Sequence, residues 1–217
     1  MAKVRAAAGG GRIVEVEPER LPGWVERFAE RNGGIAAHRA DGDAWTVEAG
    51  DGTVASVRWV LAAGMPAEWI LTGQPARVAE RLRDLALEPR RLGVLLARKG
   101  SFSVGVVVDG RIAASKTGSA YVQGRTKAGG QSQQRFARRR DGQAKAAGKR
   151  ATEAAVAVLA EADLDALVTG GATGKILGDP RLGHLRAAVH FGDIAEPRQA
   201  LLVETAYRAI GFEIRLP

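Results

Sequence analysis

Apolar residues follow two rhythms along this chain, a period of two and a period near 3.6, and the switches between them mark its elements. Arg12-Ile13-Val14-Glu15-Val16 reads as a strand. From Pro22 to Arg31 the spacing sets Trp24, Val25 and Phe28 on one face of a helix, and Asn32-Gly33-Gly34 supplies its stop. Two strands flank Asp41-Gly42-Asp43, and a further strand runs from Thr53 to Leu61 after the Gly50-Asp51-Gly52 turn. An Arg-rich amphipathic helix from Pro75 to Leu87 then leads to Pro89. These elements predict a small α+β N-terminal domain over residues 1–88.

Beyond Pro89 the pattern changes. Leu92 to Ala97 reads as a buried strand, and Ser101 to Val108 pairs with Arg111 to Thr117 as a hairpin around Asp109-Gly110. Ala147, Ala151, Ala154 and Val158 recur at spacings of four, three and four, the apolar face of a long helix. Between Gln131 and Gln143 the only apolar side chains are Phe136 and Ala137, so the first turns of that helix are expected to project into solvent. Strands at Ala166 to Thr169 and Leu185 to Phe191, a helix from Arg198 to Ile210 and a last strand from Phe212 to Arg215 complete a second domain, residues 89–217. Strands alternating with helices imply an α/β layer structure.

Charge singles out one segment. Residues 124–150 carry Arg125, Lys127, Arg135, Arg138, Arg139, Arg140, Lys145, Lys149 and Arg150 against a single acid, Asp141. That segment alone is +8, and the whole chain is also +8, so the remainder is balanced. An excess gathered around one Gly-Gly-Gln tripeptide points to a polyanionic partner, with chemistry beside it. Cysteine is absent, which excludes disulfides and thiolate metal sites. His38, His184 and His190 show no ligand-type spacing, so neither a metal nor another cofactor is expected. No apolar run reaches the roughly 18 to 20 residues needed to cross a bilayer, and Lys3 and Arg5 precede no signal-type apolar core. The expectation is a cytoplasmic, monomeric protein without a membrane partner.

Gly129-Gly130-Gln131-Ser132 followed by Arg135-Phe136-Ala137-Arg138 at the start of a long helix resembles the catalytic middle domain of the eukaryotic and archaeal peptide-chain release factors. Eight positions match with their spacing, and the resemblance covers about residues 90–217. It implies a ribonuclease-H-like release-factor catalytic domain. The residues ahead of it are too short for a decoding domain and hold no Asn-Ile-Lys-Ser motif. The closer resemblance is therefore to the Vms-type release-factor-like peptidyl-tRNA hydrolases of ribosome quality control, in their compact actinobacterial branch. The zinc-finger and ankyrin segments of eukaryotic members are missing. What the resemblance implies is hydrolysis of peptidyl-tRNA on stalled ribosomes or large subunits, without stop-codon reading.

The residues suit that chemistry on their own terms. A peptidyl-tRNA is an ester on the terminal ribose of a polyanionic strand. Lys and Arg position the strand through its phosphates. Gly129 and Gly130 lack Cβ, so they can take positive φ and admit a bulky nucleotide end. The Gln131 amide cannot act as a general base at neutral pH, but it can orient a water by hydrogen bonds, while its backbone N–H can stabilise a developing oxyanion or the leaving ribose oxygen. The catalytic candidates are thus Gln131, Gly129 and Gly130, and the nine basic residues are the RNA-binding candidates.

Competing readings remain. Phe136 reads as a packing residue, and His190 as a core or edge histidine. Gly170-Gly171-Ala172-Thr173-Gly174-Lys175 follows a strand, but a P-loop would need glycine where Thr169 stands and a hydroxyl residue where Ile176 stands, so it reads as a strand-to-helix turn with a phosphate contact from Lys175. Two rival functions stay open: a nuclease that shortens the tRNA 3′ end, and a non-catalytic RNA- or ribosome-binding factor.

Overall fold

The computed structural model describes residues 3–61, 72–119 and 131–217, with side chains throughout these apart from 3, 131–141 and 144. The chain divides into two compact units, residues 1–88 with 207–217, and residues 89–206.

The first unit is an antiparallel sheet with helices. Its strands are β1 (Lys3–Ala6), β2 (Arg12–Val16), β3 (Ile35–Asp41), β4 (Ala44–Ala49), β5 (Val54–Trp59) and the C-terminal β11 (Phe212–Leu216), in the order β1-β2-β11-β5-β4-β3. Helices α1 (Leu21–Arg31) and α2 (Pro75–Leu87) bury Leu21, Val25, Phe28, Val78 and Leu82 in a core shared with Val14, Val16, Trp45, Val57 and Ile214. Each helix carries proline in its first turn, Pro22 in α1 and Pro75 in α2. A backbone N–H there has no intrahelical acceptor, so its absence costs nothing.

Strand β11 corrects the expected boundary, because residues 207–217 belong to the first unit rather than the second. The strand lies between β2 and β5 and pairs with both, Phe212 opposite Val16 on one side and Trp59 on the other. Phe212, Ile214 and Leu216 alternate into the core, the period-two pattern of a half-buried strand. On the opposite face Glu213 accepts hydrogen bonds from Arg5 at 2.8 Å and Arg58 at 2.7 Å. Burial pushes the Glu213 carboxyl up, and these two guanidinium groups outweigh it, leaving the group below its ordinary range.

The second unit contains β6 (Arg91–Arg98), β7 (Ser101–Val108), β8 (Arg111–Ser119), β9 (Ala166–Gly171) and β10 (Ala187–Phe191), in the order β10-β9-β6-β7-β8. β6, β7 and β8 form an antiparallel meander, and β9 and β10 run parallel to β6. That order and those directions are the ribonuclease-H-like arrangement. Asp109 and Gly110, both at positive φ, make the tight turn between β7 and β8, as a two-residue hairpin loop requires. Helix α3 (Gln131–Leu159) packs on the sheet, and the short α4 (Gly174–Leu177) follows β9. Helix α5 (Gln199–Ile210) begins in this unit and ends in the first. The core gathers Leu95, Val104, Val106, Ala154, Ala155, Leu159 and Leu167.

Candidate nucleic-acid interface

Helix α3 has 29 residues and begins at Gln131, so at about 1.5 Å per residue it is roughly 43 Å long. Its C-terminal part is held by small side chains: Ala151, Ala154 and Ala155 are buried, and Leu159 is fully covered. Alanine here lets the helix backbone come close to the sheet. Toward the N-terminus the packing stops. Among the described side chains of residues 142–150 only Gln143 and Ala147 are partly covered, and a Cβ added at Gly142 or Gly148 would meet nothing within 4 Å.

The helical register orders the candidates. Gln131, Arg135, Arg138, Gly142, Lys145 and Lys149 follow one another at spacings of four, three, four, three and four, which is one stripe along a helix. At about 100° per residue, Gln131 and the basic positions 135, 138, 139, 145, 149 and 150 share an arc of about 140°. The same geometry puts 151, 154 and 155 on the opposite side. Arg140 stands off the arc, in line with the packed side. Gly129, Gly130, Arg125 and Lys127 lie outside the described residues, as do the side chains of Gln131, Arg135, Arg138, Arg139 and Arg140. As the first residue of α3, Gln131 belongs to the turn whose backbone N–H groups have no intrahelical acceptor and where the helix dipole is positive.

Lys145, Lys149 and Arg150 are exposed, and none forms a salt bridge among the described residues. Glu153, within one turn of Lys149 and Arg150, is engaged elsewhere: Arg181 donates to it at 2.8 and 3.1 Å. Arg181 also donates to Asp179, and its side-chain and backbone hydrogen bonds hold the Asp179 carboxyl down at about 2. The Glu153 carboxyl is lowered too, chiefly by the hydrogen bond from Arg181. This cluster ties α3 to the 3-10 turn Pro180–Leu182.

Lys116 on β8 joins Lys149 and Arg150 along a groove of about 520 Å³, with Glu153 at its side. Sequence reasoning missed Lys116, since nothing near it in the chain marks it and only the packing of β8 beside α3 brings it to the stripe.

The remaining candidates resolve into structural parts. Gly170 and Gly171 end β9, and Ala172-Thr173 turn the chain into α4: Gly171 has φ +72°, and a Cβ there would lie 2.2 Å from the Ala97 carbonyl oxygen. His190 stands on β10, its Nδ1 2.9 Å from Thr169 Oγ1. Among the described residues no group of three His, Cys, Asp or Glu is placed to hold a metal, and no helix is long and apolar enough to cross a membrane.

A sequence model of the Actinobacteria/chloroflexi VLRF1 release factor family matches residues 90–215. No curated protein matches the chain. A crystal structure of Archaeoglobus fulgidus Pelota is similar at 13% identity and a TM-score of 0.28, with 93% of this chain and 63% of that chain covered. The chain thus spans less than two thirds of that relative's length.

Proposed function

The chain belongs to the Actinobacteria/chloroflexi VLRF1 release factor family, and on that premise we propose that it is a peptidyl-tRNA hydrolase of ribosome rescue, cleaving the ester between nascent peptide and tRNA without reading a stop codon. Its partners in this reading are peptidyl-tRNA and the ribosome or its large subunit.

The observation that carries the reading is the register of α3. Gln131 opens the helix directly after Gly129-Gly130 and heads the same stripe as Arg135, Arg138, Lys145 and Lys149. An RNA strand held along that stripe by its phosphates would bring its end to the helix start. There the glycine pair admits the terminal ribose, and the Gln131 side chain orients the attacking water. The unpaired N–H groups of the first turn face the charge that develops on the ester carbonyl oxygen or on the leaving ribose oxygen. One proton of the water ends on that ribose oxygen and the other leaves the new carboxyl group for solvent, so the products are a peptide carboxylate and a tRNA with a free 3′ ribose.

The test is the identity of the product ends. Peptidyl-tRNA labelled in both peptide and RNA, bound to large ribosomal subunits, is incubated with the protein. Released peptide together with full-length tRNA supports ester hydrolysis. A shortened tRNA would make the protein a nuclease, and no product from bound substrate would make it a binding factor.

A further inference from the structure

A second basic site lies beside α3, and neither the Gly-Gly-Gln motif nor the stripe accounts for it. Outside the carboxyl ends of β6 and β9, where ligands gather in open α/β sheets, the second unit holds a pocket of about 520 Å³. Its floor is apolar, with Ala97, Phe102, Ala151 and Ile176 among the lining. Four cations, Arg98, Lys99, Arg150 and Lys175, also line it, and no acid does among the described residues. All four are exposed. Arg98 donates to the Ile194 carbonyl at 3.1 Å, and none of the four forms a salt bridge among the described residues.

Two further features mark the site. Ser101, also in the lining, is only 6% exposed, and its hydroxyl has no hydrogen-bond partner among the described residues. A buried polar group left without a partner costs free energy unless a ligand or water supplies one. The second is Phe102: its ring lies so close to Gly118 that a Cβ there would be 2.6 Å from a ring carbon. Glycine at that position lets the ring lie against β8 at the pocket wall.

Cations without acids select an anion. An aromatic ring and an apolar floor select a flat, weakly polar body attached to it. The volume falls within the range of about 300 to 1,000 Å³ typical of sites for small organic ligands. We propose that this pocket binds a nucleoside monophosphate unit, its base against Phe102 and the apolar floor and its phosphate among Arg98, Lys99, Arg150 and Lys175. The unit is supplied either by an unstacked nucleotide of RNA or by a free mononucleotide. Continuity favours RNA, because Arg150 belongs both to this pocket and to the arc of basic positions on α3. The pocket meets α3 near Ala147, about 24 Å along the axis from Gln131, so it would hold RNA remote from the scissile ester.

The experiment uses the full chain, a labelled twelve-nucleotide single-stranded RNA, and 5′-AMP, 5′-UMP and inorganic phosphate as competitors. Two variants are compared with the wild type: K99Q with K175Q, which removes two charges, and A172F, which fills the pocket from an exposed lining position without changing charge. Thermal unfolding identical to wild type shows that each variant is folded. The expectation is that both variants weaken RNA binding about tenfold, with the salt dependence flattened by about 1.4 logarithmic units in the double charge variant, at about 0.7 per single-strand phosphate contact. Competition by a mononucleotide identifies a free nucleotide as one source. Resistance to mononucleotides, with RNA binding still sensitive to A172F, identifies RNA as the source. The proposal is overturned if A172F binds RNA as the wild type does, since the cations would then be a surface field with no seat for a base. Inorganic phosphate competing as well as 5′-AMP would overturn it too. A lost hydrolase activity in the Proposed function assay would leave these binding results standing, so the two readings fail separately.

Discussion

Over residues 151–159, α3 lays Ala151, Ala154, Ala155 and Leu159 into the core of the second unit, whereas over 142–150 the described side chains of the same helix are exposed but for Gln143 and Ala147. The packed part is small and apolar, and the other is basic and interrupted by Gly142 and Gly148. Burial holds the first in place. The second gains little from packing. With the basic part as the recognition surface proposed above, the helix would separate stability from recognition along its length, and substitutions in the two parts should register in different measurements.

The largest effect belongs to the packed part. Leu159→Ala should cost about 2–5 kcal/mol of stability, the usual range for deleting a fully buried leucine side chain. Calorimetric or urea unfolding reads this directly. A loss within about 0.5 kcal/mol, the size expected of a surface position, would erase the contrast.

Next come the basic positions. R138Q with R139Q should leave unfolding unchanged and flatten the salt dependence of RNA binding by about 1.4 to 1.8 logarithmic units, at about 0.7 to 0.9 per contact. Arg140→Gln, off the arc, should change it little. Equal slopes for wild type and the double variant would reduce the stripe to a solvated helix face.

A smaller change sharpens the comparison from the other side. Gly142→Ala adds a Cβ into open space, and replacing glycine in an exposed helix should stabilise by roughly 0.5–1 kcal/mol. Destabilisation would mean that position 142 is covered in solution.

The smallest effect concerns the clamp that ties the packed part of α3 to the 3-10 turn Pro180–Leu182. Arg181→Ala should lower the unfolding temperature slightly at pH 7. The Asp179 carboxyl is depressed from 3.8 to about 2 in the fold, so its contribution is complete above the ordinary value and is lost as pH falls through about 2. The difference between variant and wild type should therefore shrink on acidification from about pH 4 to pH 2. A difference that is constant over this range would rule out the carboxylate pairing as its source.

Much of the second unit was legible because its signals are local. Asp109-Gly110 states its turn through positive φ, and the alanine spacing states the packed face of α3. Strand β11 was legible as a strand but not by its place, since lying between β2 and β5 is a pairing across nearly the whole chain. β1 was missed because Lys3–Ala6 is an edge strand with Val4 59% exposed, so no buried alternation marks it. Gln131 and the stripe could be read from one continuous segment. Lys116, Arg98 and Lys99 could not, because they reach α3 only through the sheet.

The most direct measurement is single-turnover peptide release from peptidyl-tRNA on large ribosomal subunits by wild type and by Gln131→Ala, with binding and unfolding measured in parallel. If Gln131 orients the water and its turn receives the oxyanion, release should fall about 100- to 1,000-fold, the cost of losing one preorganised group of this kind, while binding and unfolding stay at their wild-type values. Release within about threefold of wild type would contradict the account and remove Gln131 from the mechanism.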